Sequence, residues 1–323
     1  MARTDFGGQA LLEGVLMRGR SAIGIALRHP DGTIVSTSEP LRSVLHRSRF
    51  ARTPFFRGLV VLYETLVIGT RWLMRSGSVQ AEGEGQEMGR GTIAVTLLLT
   101  LGLAIGLFVL LPLFLASVTA RATIGPGQTL LEHLLEGLIR VVIFVGYLLV
   151  VSRSAEIRRV FQYHGAEHMT IHALENEDPL DLEHVRQYPT AHQRCGTEFL
   201  VIFIILSILM FSLLAGQNLV VSIVGRIALV PVIAAVAYEI LRLGARHRHK
   251  WWVRWMFLPG IWLQSITTRQ PDESMIEVAI ASMREALAAN GEEPPAGSWD
   301  PPRRPIPSAG SRTSESAPDQ LVQ

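Results

Sequence analysis

Apolar residues in this chain gather in long uninterrupted runs, and the polar residues between them are gathered almost as tightly. A helix needs roughly 20 residues to cross a hydrocarbon core of about 30 Å. Four runs have that character: 92–118 (TIAVTLLLTLGLAIGLFVLLPLFLASV), 133–152, 199–216 and 219–241. The first and second are joined by a short connection, as are the third and fourth, whereas 153–198 is long and polar. The pattern predicts a mainly α, polytopic membrane protein with about four transmembrane helices, interfacial helices and a small N-terminal β-hairpin.

The hairpin is read from AIGIALRHPDGTIVSTSEPL, two extended runs around a Pro-Asp-Gly turn. Residues 54–75 are apolar but carry Arg57, Glu64, Arg71 and Arg75, which suits an interfacial or re-entrant helix better than a span. The expected layout is a cytoplasmic Gly-rich segment and hairpin (1–53), the interfacial helix (54–75) and a flexible linker (76–91). A four-helix transmembrane domain (92–241) contains the 153–198 loop. A juxtamembrane aromatic and basic segment with an amphipathic helix (242–290) and a disordered tail (291–323) complete it.

Charge orients this layout. Arg153, Arg158, Arg159, Arg186 and Arg194 lie in the long connection, and Arg242, Arg246, Arg248, Lys250 and Arg254 follow the fourth run. The first short connection holds Arg121 alone. The excess of basic residues places both termini and 153–198 in the cytoplasm. Only 18% of the 323 residues are charged, against about 25% in soluble domains. A net charge of +2 offers no nucleic-acid surface, and the single cysteine, Cys195, excludes an internal disulfide. The N-terminus shows no secretory signal peptide, since no uninterrupted apolar core follows its basic residue. Within the apolar runs, Arg140 and Arg226 are buried charges. Glu136, one helical turn before Arg140, is its expected partner in a structural ion pair.

The chemistry concentrates in YHGAEHMTIHALE, where His164, Glu167 and His168 form H-x-x-E-H. On a helix the two histidines lie about 40° apart on one face, one turn apart, which suits two imidazoles on one metal. Glu167 is placed to act as general base. A catalytic zinc takes three protein ligands, and the third is left among His172, His192, Cys195 and Glu239, with Glu175 and Glu198 as further candidates. His172 and Glu175 continue the same stripe. Glu175 lies roughly 16 Å along the helix from His164, so one ion cannot be held by both ends and a second metal or a purely polar face is open. In GGQALLEGVLMRGR the glycines surround Gln9, Glu13 and Arg18. That segment is either a turn-rich packing element or a loop over the site that brings Glu13 as an extra ligand.

With GGQALLEGVLMRG, YHGAEHMTIHALE, RCGTEFL, AYEILR and PGIWLQSITTRQPDESMIEVAI in order over residues 5–285, the chain resembles the DUF1385 (YqhQ-like) family of bacterial membrane proteins, described as predicted metal-dependent enzymes. It departs from the family pattern at Met169, where a lysine is usual. The resemblance implies a membrane protein that uses a metal, and it supplies no substrate. The histidine pattern itself favours a divalent metal, zinc by preference, as cofactor, and the expected location is the bacterial inner membrane. The reaction expected is hydrolysis of a peptide or lipid-linked bond, with the lipid bilayer and a protein, peptide or lipid substrate as partners. A homo-oligomer stays open, and a non-catalytic membrane scaffold or assembly factor is the alternative function.

Overall fold

Along Ala22–Arg28 the side chains alternate small and large, and that alternation shapes the whole N-terminal region. Ala22, Gly24 and Ala26 face one side of the strand, Ile23, Ile25 and Leu27 the other, and all six are buried. The computed structural model describes residues 6–41, 53–82, 90–123, 129–192, 195–214, 217–247 and 250–306. In chain order the strands are β1 (Gly7–Leu11), β2 (Gly14–Arg18), β3 (Ala22–Arg28), β4 (Ile34–Pro40) and, after all the helices, β5 (Arg303–Pro305). The helices are α1 (Phe56–Glu82), α2 (Arg90–Ile105), which continues through a π-helical turn (Gly106–Leu110) into α3 (Leu111–Thr123), and α4 (Thr129–Val151). There follow α5 (Ala155–Glu175), the single turn α6 (Leu182–Val185), α7 (Gly196–Ser212), α8 (Leu219–Arg246), α9 (Trp251–Thr267) and α10 (Glu273–Ala289).

The strands form one sheet in the order β1-β2-β3-β4-β5, antiparallel except for β5, which runs parallel to β4. Three layers result. On one face Val15, Met17, Ala26 and Ile34 join a core with residues of α5 and α10, including Tyr163, Met169, Leu174, Val278 and Ile280. On the other, Leu16, Ile25, Leu27 and Val35 pack on Trp72 and Val79 of α1. Gly24 lets α10 lie directly on the sheet, because a Cβ there would run into the backbone of Ser282 and Ala286. Ser282 Oγ uses that proximity to bond the carbonyls of Val15 (2.9 Å) and Gly24 (3.1 Å).

The expected hairpin is present as β3–β4 around Asp31 and Gly32, but it is the middle of a larger sheet. The Gly-rich segment supplies β1 and β2, joined at Leu12 and Glu13, with Glu13 in the left-handed region (φ 53°). Of the linker expected over 76–91, residues 76–82 are helix, because Ser76 and Val79 are buried under the sheet, and 83–89 lie outside the described residues. The tail expected to lack structure from residue 291 is instead tied down as far as 306. There Trp299 N bonds Leu180 O (3.0 Å) and Arg303 pairs with Glu285 (2.9 Å). The rest of that tail, 307–323, lies outside the described residues.

Among the described residues, two helical stretches are long and apolar enough to cross a membrane, Leu98–Thr119 and Val220–Gly244. A third arises only if Leu135–Val151 and Ala155–Glu175 count as one broken span, and these two meet at 99°. The expectation of about four spans therefore narrows to two or three. The chain bends at Ser152–Ser154, after which α5 turns into the protein core. The 17-residue α7 starts at its Cys195 cap and extends only about 25 Å.

One polar cluster joins the apolar helices. Glu136 of α4 receives Arg140 Nη2 (2.6 Å) and Arg226 Nη2 of α8 (2.8 Å), all three side chains being buried. Arg140 Nε donates to Phe108 O in the π-helical turn (3.3 Å), and both guanidinium groups lie over the Phe211 ring of α7, at 5.0 and 5.4 Å. The local pair expected from sequence is thus one half of a carboxylate shared by two arginines.

Two stability outcomes follow. Glu136→Leu leaves two buried cations without a counter-charge and should cost about 3 kcal/mol or more, exceeding Arg140→Leu, which leaves the Glu136–Arg226 pair intact. Thermal unfolding of the detergent-solubilised protein measures the order. Gly24→Val should lower the same midpoint through overpacking of about 2 kcal/mol, whereas Gly7→Ala, whose Cβ meets nothing within 4 Å, leaves it unmoved.

Candidate metal centre

Helix α5 is polar in composition yet buried from Tyr163 to Leu174 except at His164 and His172, which are partly exposed. It starts at Ser154 with Glu156 in its first turn, where a negative charge suits the helix dipole. Its burial depends on Gly165. A Cβ there would collide with Arg269 O, so the helix lies against the main chain that follows α9. Arg269 N bonds Phe161 O (2.9 Å) at the same crossing.

That crossing fixes the histidines. His164 Nδ1 lies 2.9 Å from Thr267 O, His168 Nδ1 2.6 Å from Thr190 O, and His172 Nε2 2.9 Å from Ala191 O. A carbonyl only accepts, so each of these nitrogens carries its proton, and in a neutral ring the opposite nitrogen presents a lone pair. Backbone carbonyls hold metal-ligating histidines in this way. His192 is set by its backbone: its N donates to Gln264 Oε1 (2.8 Å) and its O accepts from Gln264 Nε2 (2.9 Å), with Gln264 fully buried in α9.

The rings form a file. Centroids are 4.4 Å apart for His164–His168, 5.6 Å for His168–His192 and 4.4 Å for His172–His192. Cys195, the N-cap of α7, places Sγ 3.2 Å from His164 Nε2. Ligand atoms around a tetrahedral zinc lie about 3.5 Å apart, given bonds of about 2.0–2.3 Å. Among the described residues, two groups of three have donor atoms within 4.8 Å of one another: His164, His168 and Cys195, and His172, Glu175 and His192. The donor chemistry of both fits a transition-metal ion.

Glu167 is buried between the histidines and β1. Gly8 donates a backbone hydrogen bond to it, and a Cβ on Gly8 would come within 2.8 Å of its carboxyl carbon. Burial pushes the carboxyl up to about 8, against the opposing pull of His164. Burial also holds His168 well below the usual histidine range and pushes the Cys195 thiol up. A cavity of about 440 Å³ opens on this group between β1–β2, α1 and α5, with Gly8, Arg18, Thr65, His164, Glu167 and His192 in its wall.

The other residues singled out from sequence divide. Arg18 reaches the cavity, where it bonds Thr65 Oγ1 (3.1 Å) and Glu64 Oε2 (3.3 Å). Glu239 does not join the histidines: Arg57 Nε (2.8 Å) and Phe55 N (3.1 Å) hold it to the start of α1. Glu13 points away from the cavity to a two-pronged pair with Arg159, with Tyr163 Oη 3.3 Å off, so the N-terminal segment covers the site without bringing that carboxylate as a ligand. Glu198 is buried in the first turn of α7 against Gly260 and belongs to neither group. Met169 is fully buried in the core beside α10, away from the cavity. Gln264, Thr190 and Thr267 were not legible as site residues. The available signal was Gln264 itself, a polar residue in the otherwise apolar stretch PGIWLQ.

Residues 53–289 match the family described as "Protein of unknown function (DUF1385)". The chain is also 31% identical over 296 residues to "Uncharacterized protein YqhQ" of Bacillus subtilis (strain 168), covering 87% of this chain and 92% of that one. No solved structure matches. With its site on α5 and α9 inside the matched region, the chain belongs to the DUF1385 family.

Proposed function

We propose that this protein is a multi-pass inner-membrane hydrolase that uses a divalent metal, zinc by donor chemistry, at the cytoplasmic face. The observation that carries the reading is the set of imidazole nitrogens locked by backbone carbonyls beside Cys195, at the wall of a cavity. His164, His168 and Cys195 hold the ion, a three-ligand set of the nitrogen and sulfur donors that zinc takes, with the fourth position left open. When bound, the ion supplies Lewis acidity and brings the pKa of water to about 7.

Glu167 takes and returns the proton. Its place supports that role: the carboxyl lies in the cavity wall beside His164, held by the Gly8 N–H. Arg18 faces the same cavity and suits an anionic part of the substrate. The exposed apolar residues Tyr63, Leu66 and Val67 on α1 support an interfacial seat for that helix, and hence a peptide or lipid-linked substrate drawn from the bilayer surface. The Glu136 cluster, to which the π-helical turn between α2 and α3, α4, α7 and α8 each contribute a group, supports packing of these helices as one apolar bundle. Basic flanks after α4 and α8 favour cytoplasmic termini.

The placement of Cys195 favours one second reading, a metal-free Cys195–His164 dyad. The raised thiol pKa weighs against it, because the nucleophile is the thiolate.

Elemental analysis of the purified protein tests the metal reading. A His164→Ala, His168→Ala double variant should hold one equivalent less than wild type, and no metal in wild type or equal metal in both overturns it. Glu167→Gln should keep the wild-type metal content while hydrolysis of chromogenic esters and peptides in mixed micelles falls at least about 100-fold. Full activity after exhaustive chelation, abolished by thiol alkylation, assigns the chemistry to the dyad instead.

A further inference from the structure

We propose that His172, Glu175 and His192 bind a second divalent cation, so that helix α5 carries two ions in file. The proposal deepens the metal reading above and rests on it only for the role of the first ion.

Three donor atoms of this group lie within 4.8 Å of one another, one from each residue. They come from two parts of the chain: His172 and Glu175 occupy the last turn of α5, and His192 precedes α7. His172 gives its Nε2 proton to Ala191 O and stacks on Tyr188, with centroids 5.7 Å apart and planes within 6°, so its Nδ1 lone pair has a fixed direction. His192 Nε2 lies 3.3 Å from Glu175 Oε1, and the paired bonds to Gln264 set the position of its backbone. The same device, a backbone carbonyl on one imidazole nitrogen, sets both groups of ligands.

The two sites differ in chemistry and access. The first contains a thiolate ligand and faces the cavity. The second has nitrogen and oxygen donors suited to zinc, cobalt, manganese or ferrous iron. Only His192 of its three residues lines the cavity, so this ion sits outside the cavity wall and holds His192 beside His168. Its role is to set the wall of the active site, and it contacts no substrate.

Cobalt titration of the chelator-stripped full-length protein in detergent distinguishes the sites, since only the first gives a thiolate-to-cobalt charge-transfer band. Wild type should bind two equivalents. Cys195→Ser should bind one and lose the band, while His172→Ala and Glu175→Gln should each bind one and keep it. Gln264→Leu, which releases the His192 backbone without removing a ligand, should weaken the second equivalent about 10–100-fold and leave the band intact. Variants are compared only where they elute and melt as wild type does, and Gln264→Leu serves where a ligand variant does not. A single equivalent in wild type, unchanged by His172→Ala or Gln264→Leu, overturns the second site. If instead Cys195→Ser retains the wild-type number and His172→Ala loses one ion, the second site stands and the first reading falls.

Discussion

Close contact between α5 and the main chain after α9 is the constraint from which the site follows. Gly165 has no side chain, so the helix lies on Arg269 O, and at that distance the carbonyls of Thr267 and Thr190 reach the rings of His164 and His168. A bulkier residue would lift the helix and separate each ring from its carbonyl. The imidazoles would then be buried without fixed tautomers, a costly state for polar groups. Packing and chemistry therefore share one cause, since the geometry that buries the helix also aims its nitrogens.

The sheet serves this arrangement from the opposite side. Small residues on β3 admit α10, α10 backs α5, and β1 closes over Glu167 because Gly8 leaves room for the carboxyl. Each of these approaches relies on a missing Cβ, at Gly8, Gly24 and Gly165. The long apolar helices follow different physics. They expose Leu98, Leu99, Leu103 and Val220, a surface consistent with an apolar surrounding, and the Glu136–Arg140–Arg226 group supplies directional contacts that greasy surfaces lack. The bend at 152–154 is where one regime gives way to the other.

The long apolar runs, the hairpin and the His164–His168–His172 stripe were legible in the sequence, because each is a local pattern of period 3.6 or 2. Contacts between distant segments were not. Glu239 qualified as a ligand only by residue type, and Arg57, far earlier in the chain, claims it. Glu13 failed for the same reason, drawn to Arg159 near the start of α5. Counting four spans treated every apolar run alike, although α7 is short and α4 leads directly into a buried helix.

Residue order by itself determined which helical face of α5 carries histidines, which segments are apolar enough to leave water, and which family the chain resembles. Only the tertiary structure decided which nitrogens those histidines present, that Cys195 and His192 stand beside them, and that the polar stripe divides into two groups. Periodicity orders residues around one helix. The direction of a lone pair depends on a carbonyl contributed by another segment, here from a separation of up to 103 residues, and no local pattern encodes it.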